Sequence, residues 1–193
     1  MRLDRRQAVG AILGARGDAL VVTGLGSPTW DVAATADSPH NFYLWGAMGG
    51  ASILGLGLAL AQPSRRVVVI TGDGEMLMGL GSLATIGAER PSNLSIVVLD
   101  NERYGETGMQ ASHTGRGVDL AAMATAASFP VASTASTAPE LTAALPSLYT
   151  GAGPVLLVVK VAANQPPLRV PLRDGTHIKH RFREALLGPG AFG

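Results

Sequence analysis

Val67-Val-Val-Ile-Thr-Gly-Asp-Gly-Glu75 is an apolar run that passes straight into Gly72-Asp73-Gly74. Apolar residues in succession, rather than in alternation, suit a strand covered on both faces, as in a parallel sheet. The two glycines let the backbone turn sharply and approach a ligand closely. A helix is expected to follow, and the free N–H groups at its start favour an anion such as phosphate. Asp73 would compete with that anion unless a cation joined them. Mg²⁺ meets this requirement, because it takes one or two protein oxygens alongside phosphate oxygens.

The next apolar run, residues 95–99, ends in Asp100-Asn101-Glu102-Arg103-Tyr104-Gly105. Asp73 and Asn101 stand 28 residues apart, close to the length of one βαβ unit of about 30 residues. Parallel strands joined this way carry both side chains to the same sheet edge, where α/β sheets bind ligands. A simple Gly-Asp-Gly turn and an Asx-type loop residue are the plainer alternatives for each motif alone. Together, in this order and spacing, the two favour a metal–diphosphate site.

Further strands are expected at 19–23 and 155–160, with a weaker one at 130–134. Helices are expected at 4–15, 46–61, 77–89, 120–127, 139–149 and 178–187. This alternation predicts a single α/β domain with a mainly parallel sheet and helices on both faces. The Pro-rich stretch from about residue 164 to 171 reads as an extended tail that contacts a partner. Residues 176–183 are locally basic, and read best as a solvated helix face with Ile178 and Phe182 packed beneath.

The 193 residues suit one sizeable core, and 47% hydrophobic against 15% charged excludes a disordered chain. A formal charge of +1 gives no footprint for nucleic acid or acidic membranes. Without cysteine there is no disulfide, thiol nucleophile or Cys-ligated cluster. Residues 42–61 carry no charge over 20 positions, enough to span a bilayer. Their five glycines and the strands that follow favour a buried helix instead. No apolar run follows the basic start before Asp18, so no secretory leader is expected and the cytoplasm is the default location. Gly24-Leu25-Gly26 hints at dinucleotide binding, but Thr29 stands where that fingerprint needs a third glycine.

The Gly72-Asp73-Gly74 and Asp100-Asn101 pair resembles the motif of the thiamine-diphosphate (ThDP) enzyme superfamily, in its C-terminal diphosphate-binding domain. Phe42-Tyr-Leu-Trp-Gly-Ala-Met-Gly-Gly-Ala-Ser52, Gly55-Leu-Gly-Leu-Ala-Leu60 and Tyr104-Gly-Glu-Thr-Gly-Met-Gln110 are similar to the sulfopyruvate decarboxylase β-subunit and phosphonopyruvate decarboxylase group. The resemblance covers roughly residues 20–160. It implies Mg²⁺ held by Asp73, Asn101 and the Arg103 backbone carbonyl. It implies cofactor contacts at Gly72, Asp73, Gly74, Glu75, Asn101, Tyr104 and Gly105, and at the loop Gly24, Leu25, Gly26 and Ser27. Met48, 25 residues before Asp73, takes the register of the apolar wedge that bends the cofactor, with ordinary core filling as its alternative. The Gly46 carbonyl would accept from the cofactor's amino group.

The activity that this resemblance implies is decarboxylation of a 2-oxo acid, with ThDP as electron sink. Ylid formation needs a Glu from a second, pyrimidine-binding domain, and none of the glutamates here takes over that role. The chain is therefore expected to be one subunit of a heterodimer or heterotetramer, completed by a pyrimidine-domain (α) subunit. Glu106 and His113 are the candidate proton donors; a solvated carboxylate and a partner contact are their plainer readings. The 105–117 segment reads as a lid, and Arg116 as exposed or facing an anionic substrate. A ThDP-dependent C–C lyase or carboligase subunit, and a non-catalytic assembly subunit, remain as alternatives.

Overall fold

A computed structural model describes residues 2–191. In chain order the elements are α1 (Arg5–Gly14), β1 (Leu20–Thr23), α2 (Ser27–Ala36), β2 (Asn41–Tyr43), α3 (Ala51–Ala61), β3 (Val67–Gly72), α4 (Asp73–Met78) and α5 (Ser82–Glu89). They continue with β4 (Leu94–Asp100), β5 (Arg103–Tyr104), β6 (Gln110–Ala111), α6 (Leu120–Ala126), β7 (Val131–Ala135), α7 (Ala138–Thr150), β8 (Val155–Lys160) and α8 (Gly175–Leu187). Six strands form a parallel sheet in the order β2-β1-β3-β4-β8-β7, and β5 and β6 form a separate antiparallel hairpin.

Alternate residues of the central strands feed two cores. Val68 and Ile70 of β3 pack with Ile12, Leu13 and Leu148 on the α1/α7 face. Val67 and Val69 pack with Leu56, Met76 and Ile86 on the α3/α4/α5 face. Every residue of β4 is buried, which is why its sequence shows no alternation. The helix starts follow side-chain chemistry. Asp4 caps α1, Asp119 caps α6 and Asp174 caps α8, while Thr137 and Glu140 form a capping box on α7.

The expected strands are all present, within a residue or so at each end. Three helical expectations need correction, and one helix was not expected. The helix expected at 46–61 begins only at Ala51, because Gly46 and Gly49 hold φ of 73° and 87°, which no helix accommodates. The uncharged 42–61 stretch is thus divided between the end of β2, a glycine loop and an 11-residue helix. Among the described residues no helix is long and apolar enough to cross a membrane. The helix expected at 77–89 is two: α4 starts within the Gly-Asp-Gly motif itself, and a turn at residues 79–81 separates it from α5. Gly79 marks the break, since a Cβ there would lie 2.2 Å from the Gly49 carbonyl oxygen. The helix α2, unforeseen in the sequence, has Pro28 in its first turn, where the missing N–H costs nothing. The helix expected from Ile178 begins at Gly175, and Ile178 and Phe182 are buried beneath it.

No helix or strand forms between residues 162 and 174. This stretch runs extended along α1 and α2. The Arg5 and Arg6 guanidiniums donate to the carbonyls of Asn164 and Pro167, and Arg173 stacks over Trp30 and Trp45.

Candidate functional site

The register of the central strands places the two motifs side by side. Gly72 pairs with Leu99, so Asp73 and Asn101 leave the same carboxyl edge of adjacent parallel strands. Gly72 is still extended, at φ −98° and ψ 163°, and Asp73 opens α4. The β5–β6 hairpin folds back across this edge. Its Tyr104 ring lies so close over Gly74 that a Cβ there would come within 2.7 Å of two ring carbons.

A cavity opens at this edge. Leu25, Ser27, Met48, Gly72, Asp73, Gly74, Glu75, Asn101, Tyr104 and Gly105 all line it, as do Arg103 and Glu106. Gly24 and Gly26 stand behind its wall, each covered by a carboxylate: Glu75 fills the space beside Gly24, and Glu106 that beside Gly26. Three expected residues are placed differently. Gly46 is exposed on the loop before α3 and does not line the cavity. His113 is exposed behind Tyr104, with its Nδ1 3.0 Å from the tyrosine hydroxyl, so any influence on the cavity passes through that ring. Arg116 is exposed. Within residues 105–117, Ser112 and Thr114 are buried and tied to Asp73.

That network was invisible in the sequence. Asp73 is only 2% exposed. The hydroxyls of Ser112 and Thr114 both donate to its Oδ2, and Thr114 also lies 2.8 Å from Asp100 Oδ1. Asp100 in turn pairs with Lys160 at 2.6 Å, and Lys160 with Glu102 at 3.1 Å. Burial pushes the Asp73 carboxyl up to about 6; the Ser112 and Thr114 hydrogen bonds oppose this rise and the nearby Asp100 charge adds to it. No signal of period or spacing marks Ser112 or Thr114, which reach Asp73 only because the hairpin reverses the chain.

The donor set fits a hard cation. Asp73 has no Lys or Arg partner among the described residues, so a buried carboxylate is left for another positive charge. Asn101, 9% exposed, and Arg103 line the same wall. Asn101 Oδ1 already accepts from the Arg103 amide at 2.9 Å, which fixes its direction and leaves its second lone pair. Among the described residues no cluster of three His, Cys, Asp or Glu side chains could hold a metal. An ion here must take mixed oxygen donors, as Mg²⁺ does.

Residues 24–159 match the thiamine pyrophosphate enzyme family, in its C-terminal TPP binding domain. This chain belongs to that family. Relatives within the TPP enzyme group extend the similarity. The sulfopyruvate decarboxylase subunit beta of Methanothermobacter thermautotrophicus is 47% identical over 131 residues, covering 68% of this chain and 70% of that protein. The phosphonopyruvate decarboxylase of Streptomyces viridochromogenes is 37% identical over 90% of this chain, but the match spans only 44% of that protein. The fold is also that of the thiamine diphosphate-dependent 4-hydroxybenzoylformate decarboxylase of Rhodococcus jostii, at a TM-score of 0.70 and 22% identity. That match covers 86% of this chain and 34% of the other.

Proposed function

We propose that this chain is the ThDP- and Mg²⁺-binding subunit of a 2-oxo-acid decarboxylase that acts on a small acidic 2-oxo acid. The observation that carries the reading is the buried Asp73 carboxylate, without a cationic side-chain partner among the described residues, beside Asn101 at one sheet edge. In this reading the Asp73 carboxylate, the Asn101 amide oxygen and the Arg103 carbonyl hold Mg²⁺. Gly72, Gly74, Gly105 and the Gly24–Ser27 loop receive the diphosphate, and Tyr104 closes over the motif. Met48, 40% exposed at the cavity mouth, offers its flexible apolar side chain as the wedge against the cofactor. When bound, thiamine diphosphate supplies the electron sink for loss of CO₂.

Glu106 lines the cavity and accepts from the Trp30 indole N–H at 3.4 Å, which makes it the better placed of the two proton-handling candidates. His113 acts, in this reading, only by orienting Tyr104. The activating Glu and the pyrimidine pocket come from a partner subunit. The subunit beta name of one relative and the greater length of the single-chain decarboxylases support this assembly.

The test is co-expression with the neighbouring open reading frame, followed by cofactor extraction and assay of a 2-oxo-acid panel. A complex that retains ThDP and Mg²⁺ and releases CO₂ from acidic 2-oxo acids is the expected result. Cleavage of hydroxyketones without CO₂ would replace decarboxylation by C–C lyase chemistry. Failure to retain ThDP would overturn the cofactor reading itself.

A further inference from the structure

Glu75 lies in the first turn of α4, two residues after Asp73, and is 5% exposed. Its Oε2 accepts the Leu25 amide N–H at 2.8 Å and the Thr71 hydroxyl at 2.9 Å. A Cβ on Gly24 would fall 1.6 Å from the same oxygen. The φ of Gly24 is not positive, so glycine is required there for space rather than for backbone freedom. The carboxylate thus occupies the volume a Gly24 side chain would need, 51 positions away in sequence. Oε1 is buried without a hydrogen bond of normal geometry; burial raises the carboxyl's pKa, and the Thr71 hydroxyl and the nearby amides of Leu25, Gly49 and Ala51 oppose that rise.

Three segments therefore converge on one carboxylate: the loop after β1, the loop that carries Met48, and the turn that carries Asp73. The Leu25 amide is spent on Glu75 and the Gly24 amide on the Ile70 carbonyl. The start of α2, where Gly26 makes no side-chain cap and Ser27 faces the cavity, remains to meet a phosphate. We infer that Glu75 is a positioning residue for the diphosphate pocket, holding the Gly24–Ser27 loop at a set distance from the metal-binding turn through its fit into Gly24 and its bond to Leu25. This rests on the ThDP reading, and separates Glu75 from residues that touch the cofactor directly.

The test uses the full chain with any subunit that copurifies. Equilibrium dialysis would measure affinity for ThDP and for inorganic pyrophosphate, each with Mg²⁺, beside the thermal midpoint. Glu75→Ala and Gly24→Ala are each expected to weaken both ligands about tenfold or more while the chain stays folded. Glu75→Gln keeps an acceptor for Leu25 and Thr71, and is expected to retain more affinity than Glu75→Ala. The double variant Gly24→Ala/Glu75→Ala is expected to bind no worse than Gly24→Ala, because both changes break the same contact. Additive losses, or equal losses in Glu75→Gln and Glu75→Ala, would overturn the assignment. So would unchanged ligand affinity in Glu75→Ala, which leaves the cofactor reading standing. A wild-type protein that binds neither ligand would instead refute the cofactor reading, and this inference with it.

Discussion

The Ser112 hydroxyl donates to the Asp73 carboxylate across 39 residues of sequence, and Thr114 donates to the same oxygen. Both hydroxyls act on Oδ2 and, among the described residues, none acts on Oδ1, the oxygen that the proposed function gives to the cation. In the proposed function Ser112 is a supporting group that aims the Asp73 carboxylate at the cation. Second-layer partners of this kind commonly matter by about 10- to 100-fold in metal affinity. Ser112→Ala is expected to raise the Mg²⁺ concentration needed for ThDP retention about tenfold, with the thermal midpoint little changed. Asp73→Ala is expected to abolish Mg²⁺-dependent retention altogether, and a chelator to do the same to the wild type. A Mg²⁺ titration of ThDP binding in the wild type and the two variants, with a chelator arm on the wild type, checks all three outcomes.

In the proposed function Met48 separates anchoring from chemistry. Its side chain is 40% exposed at the cavity mouth, so its truncation removes little buried surface. Met48→Ala is expected to leave pyrophosphate affinity and stability as they are, and to lower kcat in the assembled enzyme about tenfold or more. A wedge role fails if turnover is unchanged.

Gly55 lets α3 sit directly on the sheet. A Cβ there would lie 2.3 Å from Val69 Cγ2, and Val69 is fully buried. Gly55→Ala is expected to destabilise the fold by about 1–3 kcal/mol through overpacking. Gly55→Ala/Val69→Ala should recover part of that loss, since the smaller partner vacates the space. Urea unfolding of the single and double variants measures the coupling.

Arg181 of α8 pairs with Asp37 at 3.0 Å, and the Tyr43 hydroxyl donates to the same carboxylate at 2.8 Å. Burial raises the Asp37 pKa, but these two partners outweigh it and hold the carboxyl below its usual value. A carboxylate lowered in the folded state adds stability above its unfolded pKa, and loses it as pH falls through the folded one. The stability gap between wild type and Arg181→Ala is therefore expected at pH 7 and should close below about pH 4. Thermal melts across that range test it.

The break in the helix expected at 77–89 shows where local reading runs out. Gly79 and Gly81 cost a helix only about 1 kcal/mol each, too little to end it by propensity. What ends α4 is the approach of the Gly49 carbonyl to Gly79, a contact between loops 30 residues apart. The absence of α2 from the sequence reading has the opposite origin. No side-chain cap precedes it, and Pro28 stands in the first turn, where a helix accepts proline.

The strands were legible because burial on both faces writes itself into consecutive apolar residues, as in β3, β4 and β8. Asp73 and Asn101 were legible because parallel pairing through one crossover converts a sequence interval into a shared edge. Helices α1 and α7, each with a side-chain cap at its start, were also readable, since such signals act within one turn. The Ser112–Asp73 bond, the seat of Glu75 in Gly24 and the turn of His113 away from the cavity were decided only by the tertiary structure. Each depends on how far a loop folds back, and a loop carries no periodicity to record its destination.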